Sequence, residues 1–286
     1  MGQDANHRGP NRQGPKQQGT GRPSRDGGAR RDDRGSGPAR PRRSEDRGDD
    51  RPSRPRRAED RTQAPRNFGP HIPDEVEAKQ LAPDVRAELL SLDKNTADTV
   101  ARHMVAAGNL LDEDPQAALD HAKAAKSRAA RIAGVREALG IAAYHCGDWA
   151  LALSELRAAK RMGTRSPLLA LIADCERGVG RPERAIELAR GDEAKALTGD
   201  AADELRIVIA GARADMGQLD QALAVLSTPA PDPKRIGVVA ARLFYAYADI
   251  LLALDRKTEA VQWFLHAADA DAEGHTDAED RAAELA

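Results

Sequence analysis

Seven histidines and two cysteines are the side chains of this 286-residue chain best suited to holding a metal or relaying protons, and their spacing points to neither use. Cys146 and Cys175 stand 29 residues apart with no CxxC pair or His-rich partner motif, so they read as buried thiols, not as zinc ligands or a disulfide framework. His103 and His145 fall on helices one repeat apart and could face one groove. A lone pair so placed is a weak basis for acid–base or metal chemistry. Gly178-Val179-Gly180 begins no GxGxxG, and its phase assigns it to a turn. Phosphate-cradling loops, paired-His metal motifs and GxSxG elbows do not occur in the part of the sequence that can fold. The expectation is therefore no catalytic residue, no cofactor, no metal and no enzyme activity.

The elements that would position any binding residues are unevenly distributed. Residues 1 to 70 contain no Val, Ile or Leu and hold 11 Gly and 9 Pro. Their 17 Arg and one Lys against 10 acidic residues give a formal charge of +8, while the remainder carries −10, so the net −2 conceals a cationic arm on an anionic body. Such an arm has too little apolar surface to offset its ordering entropy and is expected to be disordered. Its stretch RRDDRGSGPARPRRSEDRGDDRPSRPRRAEDR is a low-complexity polyampholyte with Phe68 as the arm's one aromatic, so platforms for stacking bases are missing. Phosphate attraction remains, which makes nucleic acid the alternative partner to protein. The opening MGQDANHRGP has no apolar core of a signal peptide, Asn6 stands where a myristoylation signal needs Ser or Thr, and no apolar run reaches membrane-spanning length. A cytoplasmic chain with no membrane partner is expected.

Beyond the arm, residues 71 to 98 form a lead-in with a short amphipathic helix after Asp84, and Asn95 or Thr96 is positioned to cap a longer helix through about Leu111. Pro115 suits the first turn of the next one. From there, small residues serve as a ruler: Ala118, Ala152, Ala185, Ala222 and Ala260 recur at separations of 34, 33, 37 and 38 residues. Turn residues fall in phase with them at Gly147-Asp148, Gly180-Arg181, Gly217-Gln218 and Asp255-Arg256. The pattern predicts five helical hairpins at roughly 99–132, 133–166, 166–199, 203–236 and 241–274, and a final helix over Asp277 to Leu285, within residues 275–286, that caps the stack. The short side chains mark where the two helices of a hairpin cross, and larger apolar residues four positions on fill the space between hairpins.

The segment Leu139 to Ala159, LGIAAYHCGDWALALSELRAA, resembles the tetratricopeptide repeat at Gly140, Gly147-Asp148, Trp149, Ala152, Leu156 and Ala159. As a whole the chain resembles actinobacterial-type proteins of high-GC bacteria that join a basic arm to such repeats. The family implies an all-α, right-handed solenoid over residues 99–274 and a non-enzymatic protein-binding scaffold or adaptor. Partner recognition would fall on the inner wall of first helices, and the register carries His103, Met104, Glu137, Ile141, Tyr144, His145, Asp174, Arg177, Ile207, Asp215, Arg242, Tyr245 and Asp249 to that wall. Its mix of apolar and acidic side chains suits a protein or peptide with basic and apolar anchors. The Lys/Asn/Arg clamp with which some members grip carboxylate termini is absent, because His103, Ala107, Ala138, Pro167 and Leu171 occupy the matching positions. Two alternatives stay open: a nucleic-acid accessory protein acting through the basic arm, and a regulator that responds to a peptide.

Overall fold

The computed structural model describes residues 69–164 and 167–286. Among them all regular structure is helical. The basic arm, its expected disorder and Phe68 lie outside the described residues.

The chain enters along the helix over Lys94–Asn109. Ile72 packs with Val76 against Val105 and Ala106, and Arg102 donates from Nε to the Val76 carbonyl at 2.7 Å and from Nη2 to that of Pro73 at 3.2 Å. A short 3₁₀ turn at Ala78–Gln80, α1 (Pro83–Glu88) and a second 3₁₀ turn at Leu89–Ser91 complete the lead-in. The next helix, α2 (Lys94–Asn109), is capped two residues before Asn95 and three before Thr96: the Asp93 carboxylate accepts from Thr96 N at 3.0 Å. Asp outcompetes Thr here because a charged oxygen meets both the orphan amide and the positive end of the helix dipole.

Antiparallel pairs then follow one another. They are α2 with α3 (Pro115–Ala129), α4 (Ala133–His145) with α5 (Trp149–Arg161), α6 (Leu169–Gly178) with α7 (Pro182–Leu188), α9 (Gly199–Asp215) with α10 (Leu219–Leu226), and α11 (Val238–Ala253) with α12 (Lys257–Ala270). Helix α13 (Ala278–Leu285) packs on α12 and buries Ala278 and Ala282, as expected of the terminal helix. One element was not legible: the stretch after Ala189 holds a further helix, α8 (Asp192–Ala196), tied to α5 by the Lys160–Glu193 ion pair. Gly191 and Thr198 flank it too closely for the apolar periodicity of a five-residue helix to stand out.

All five ruler alanines are fully buried at 0 % exposure, each on the second helix of its pair. Helices α4 and α5 cross closely at Gly140, where an added Cβ would sit 2.7 Å from Leu156 Cγ and 3.1 Å from the Leu156 backbone nitrogen. Turn chemistry explains the phase of the rest. Gly147, Gly180, Gly217 and Asp255 all take left-handed φ, of 70°, 77°, 71° and 62°. In each case the following residue's N–H reaches back to the first helix, as Asp148 N does to Ala143 O at 2.9 Å and Arg256 N to Leu251 O at 2.9 Å. This closes the carbonyls left open at a helix C-terminus.

The core is divided, and its divisions straddle the hairpins. One cluster joins Ala118 and Ala122 of α3 to Leu139 and Ala143 of α4, Leu156 of α5 and Ile172 of α6. Others join Ala185 to Leu205 and Ile209, Ala222 to Leu243, and Phe264 to Ala282. Each hairpin thus buries its apolar faces against the next one in the chain. Buried acids reinforce these seams: Glu155 on α5 receives Lys126 Nζ from α3 at 2.6 Å and Arg136 Nη1 from α4 at 2.8 Å, and Glu176 on α6 pairs with Arg157 of α5.

Candidate functional site

Helices α4, α6, α9 and α11, the first members of four consecutive hairpins, share a face that hydrogen bonds stitch together. Ile141 and Tyr144 lie one turn apart on α4, Asp174 and Arg177 one turn apart on α6, and Ile207, Gly211 and Asp215 at successive turns of α9. The phenol of Tyr144 donates to Asp174 Oδ2 at 2.5 Å. Arg177 Nη1 donates to Asp174 Oδ1 at 2.7 Å, and its Nε and Nη2 clasp both Asp215 oxygens at 2.8 and 3.2 Å. Gly211 makes the clasp possible, since a Cβ there would meet the Arg177 guanidinium carbon at 2.6 Å. Further along, Arg242 of α11 reaches Glu204 of α9 at 2.8 Å.

The electrostatics follow from this crowding. Burial, then the bond to Asp174, pushes the Tyr144 phenol far above its ordinary value, so it serves only as a donor at neutral pH. Burial raises the Glu204 carboxyl, with Asp200, Asp203 and Asp174 adding to the rise and Arg242 opposing it. Burial likewise raises Asp249, against the pull of Arg281.

Two cavities flank this stitched centre. The larger, about 790 Å³, lies between α1, the C-terminal half of α2, the N-terminal half of α4 and the turn at Met162–Thr164. Met104, Glu137 and Ile141 line it, together with residues that the repeat pattern did not supply: Leu81, Asp84, Val85 and Glu88 of the lead-in. The smaller, about 520 Å³, is lined by Ile207, Arg242, Tyr245 and Asp249, together with the His275–Asp277 turn. Here Arg281 of α13 donates to the Tyr245 phenol at 2.9 Å and to Asp249 at 3.1 Å.

Two residues assigned to the face sit elsewhere. His103 is 1 % exposed and turned into the α2–α3 contact, where its Nδ1 lies 3.0 Å from Nδ1 of His121, so that one neutral ring can donate to the other. His145 is exposed and lies 3.9 Å from Asp112, beside the Tyr144 ring. Glu204 belongs on the face and was missed. The signal that could have found it is Gly211, a glycine in mid-helix seven residues on, which marks the side of α9 that a neighbour's side chain approaches.

Neither thiol is poised for chemistry. Burial pushes Cys175 up to about 12, and Cys146 is raised by burial while its Sγ lies 3.1 Å from the Pro115 carbonyl. Among the described residues no three His, Cys, Asp or Glu side chains gather as a metal site, and no helix is long and apolar enough to cross a membrane. The comparison with models of known protein families gives no match, and that with curated proteins gives none either.

Proposed function

We propose that this chain is a non-enzymatic interaction scaffold built as a tetratricopeptide-like right-handed solenoid. The observation that carries the reading is the continuous face of first helices, on which Tyr144, Asp174, Arg177, Asp215, Glu204 and Arg242 link hairpin to hairpin between two cavities. Supporting it are the equal burial of the five ruler alanines, the left-handed turns in phase with them, and cores that run from one hairpin into the next, the construction by which repeat proteins extend a surface. The face holds apolar floors and an excess of carboxylates, which suits a protein partner with apolar and basic anchors.

The test is site-directed photo-crosslinking of the full chain in its native cell. A crosslinking residue at Ile207 or Arg242, on the first-helix face, should trap protein partners; one at Glu187 or Gln221, on second helices, should not. Equal yields from both sides would overturn the reading.

A further inference from the structure

The larger cavity has an origin of its own, separate from the repeats. Its outer wall is α1, which packs Val85 against the cluster of Val100, Met104 and Val135 and is tied to α4 where Glu88 Oε2 accepts from Gly134 N at 2.9 Å. Val85 Cγ1 lies 3.1 Å from where a Gly134 Cβ would stand, so glycine there lets the lead-in helix sit this close to the start of α4 without displacing Val85. The result is a trough open to solvent along one side, with α1 on one bank and the Met162–Thr164 turn on the other.

Its lining has a definite chemistry. The floor is apolar, from Leu81, Val85, Met104, Leu111, Ile132 and Ile141. Two of the chain's four methionines line it, one of them, Met162, 43 % exposed at the rim. Methionine is unbranched and polarisable, so it conforms to apolar side chains of different shape. Asp84, Glu88 and Glu137 stand around the floor against the single cation Arg131. Asp84 and Glu88 lie on one side of α1, four residues apart, while Glu137 faces them from α4, held by the Thr164 hydroxyl at 2.5 Å. Carboxylates on both banks of an apolar trough place negative potential on either side of whatever enters, and the volume lies within the ~300–1,000 Å³ typical of ligand sites.

We infer that this trough is the docking site for a short segment of a partner protein that presents apolar side chains flanked by lysine or arginine. The apolar groups fill the floor between Met104, Ile141 and Met162. The basic groups meet Asp84 and Glu88 on one bank and Glu137 on the other. This inference rests on the scaffold reading and narrows it to one end of the face.

Three fluorescein-labelled nonapeptides test it against the full-length protein by anisotropy at about 0.15 M salt, where contacts longer than ~8 Å are screened. One alternates Lys and Leu, the second has Ser for every Leu, and the third has Ser for every Lys. The Lys–Leu peptide should bind saturably, and the other two at least about tenfold more weakly, about 1.4 kcal/mol per decade. Asp84→Lys and Met162→Ser, both at exposed positions and checked for unchanged melting, should each weaken Lys–Leu binding about fivefold or more. Arg131→Glu should strengthen it, and Glu183→Lys, an equal charge change on the exposed side of α7 away from both cavities, should leave it unchanged. Lys–Leu binding indifferent to Asp84→Lys and Met162→Ser, or no preference among the three peptides, overturns the inference. Crosslinks from Ile207 and Arg242 would still be expected in that case, so the scaffold reading stands or falls separately.

Discussion

Replacing Ala152 by glutamate probes the central packing claim. Ala152 is 0 % exposed on α5, in the cluster that holds Leu139, Ala143, Leu156 and Ile172. Two costs follow. The longer side chain must be forced between helices, worth about 1–3 kcal/mol, and its carboxyl must either ionise unpaired or stay protonated with its pKa raised by several units, each unit about 1.4 kcal/mol. Relaxation absorbs part of both, leaving a loss of about 3–5 kcal/mol. For a folded region of this size that is on the order of 10 °C in Tm. The control is Ala150→Glu, one turn-start away and exposed, which should change little. A pH signature separates charge burial from simple crowding. Because the folded protein would bind the proton more tightly than the unfolded chain, the penalty grows as pH rises above about 4.3, so the gap from wild type should narrow toward acid. Urea melts at pH 7 and pH 4.5 measure both. A variant that unfolds like wild type at neutral pH would mean that the five alanines do not mark close crossings.

Gly140→Ala should destabilise by about 2 kcal/mol, because its Cβ meets Leu156 at 2.7 Å and the α5 backbone at 3.1 Å, whereas Gly211→Ala pushes the movable tip of Arg177 off its clasp on Asp215, a loss that offsets the gain in helix propensity, so its net change should stay within ~1 kcal/mol; paired denaturant midpoints compare them. Asp255→Gly should stabilise by about 1 kcal/mol, since Asp255 holds φ 62° where the equivalent turns have glycine, and no change in Tm would refute the equivalence of the four turns. Acid should weaken the fold in two stages. Burial lowers the His121 imidazole, with Asp120 opposing, so the unfolded chain binds the extra proton and stability falls as pH drops through about 6.5; burial raises Glu155, but its bonds from Lys126 and Arg136 outweigh this and hold it below 4.5, so a second loss follows there. Urea midpoints from pH 8 to 4 report both stages, and a His121→Gln variant should lack the first.

Spacing made the hairpins legible because three independent devices, the short crossing residue, the left-handed turn and the apolar residue four positions on, repeat with one period. What lacked a period was missed. Helix α8 is too short to show one, and α1 joins the larger cavity through the bond from Gly134 N to Glu88, 46 residues apart, which no local pattern encodes. On the first-helix face the register found Tyr144, Asp174, Arg177 and Asp215 but not that they bond to one another, since pairing across helices depends on side-chain direction more than on sequence distance. His103 was misplaced for a related reason: helical phase allowed either side, and the competing partner His121 lies on a different helix.

The chain of bonds from Tyr144 through Asp174 and Arg177 to Asp215 bears on recognition in a way that its polarity alone would not suggest. A visiting group that wants any one of these side chains must displace a neighbour already at 2.5–3.2 Å, so the exchange nets little. The middle of the face is thereby quiet toward strangers. In the proposed scaffold, a ligand long enough to reach both cavities would gain its adhesion from their apolar linings and would cross this polar span without drawing much from it.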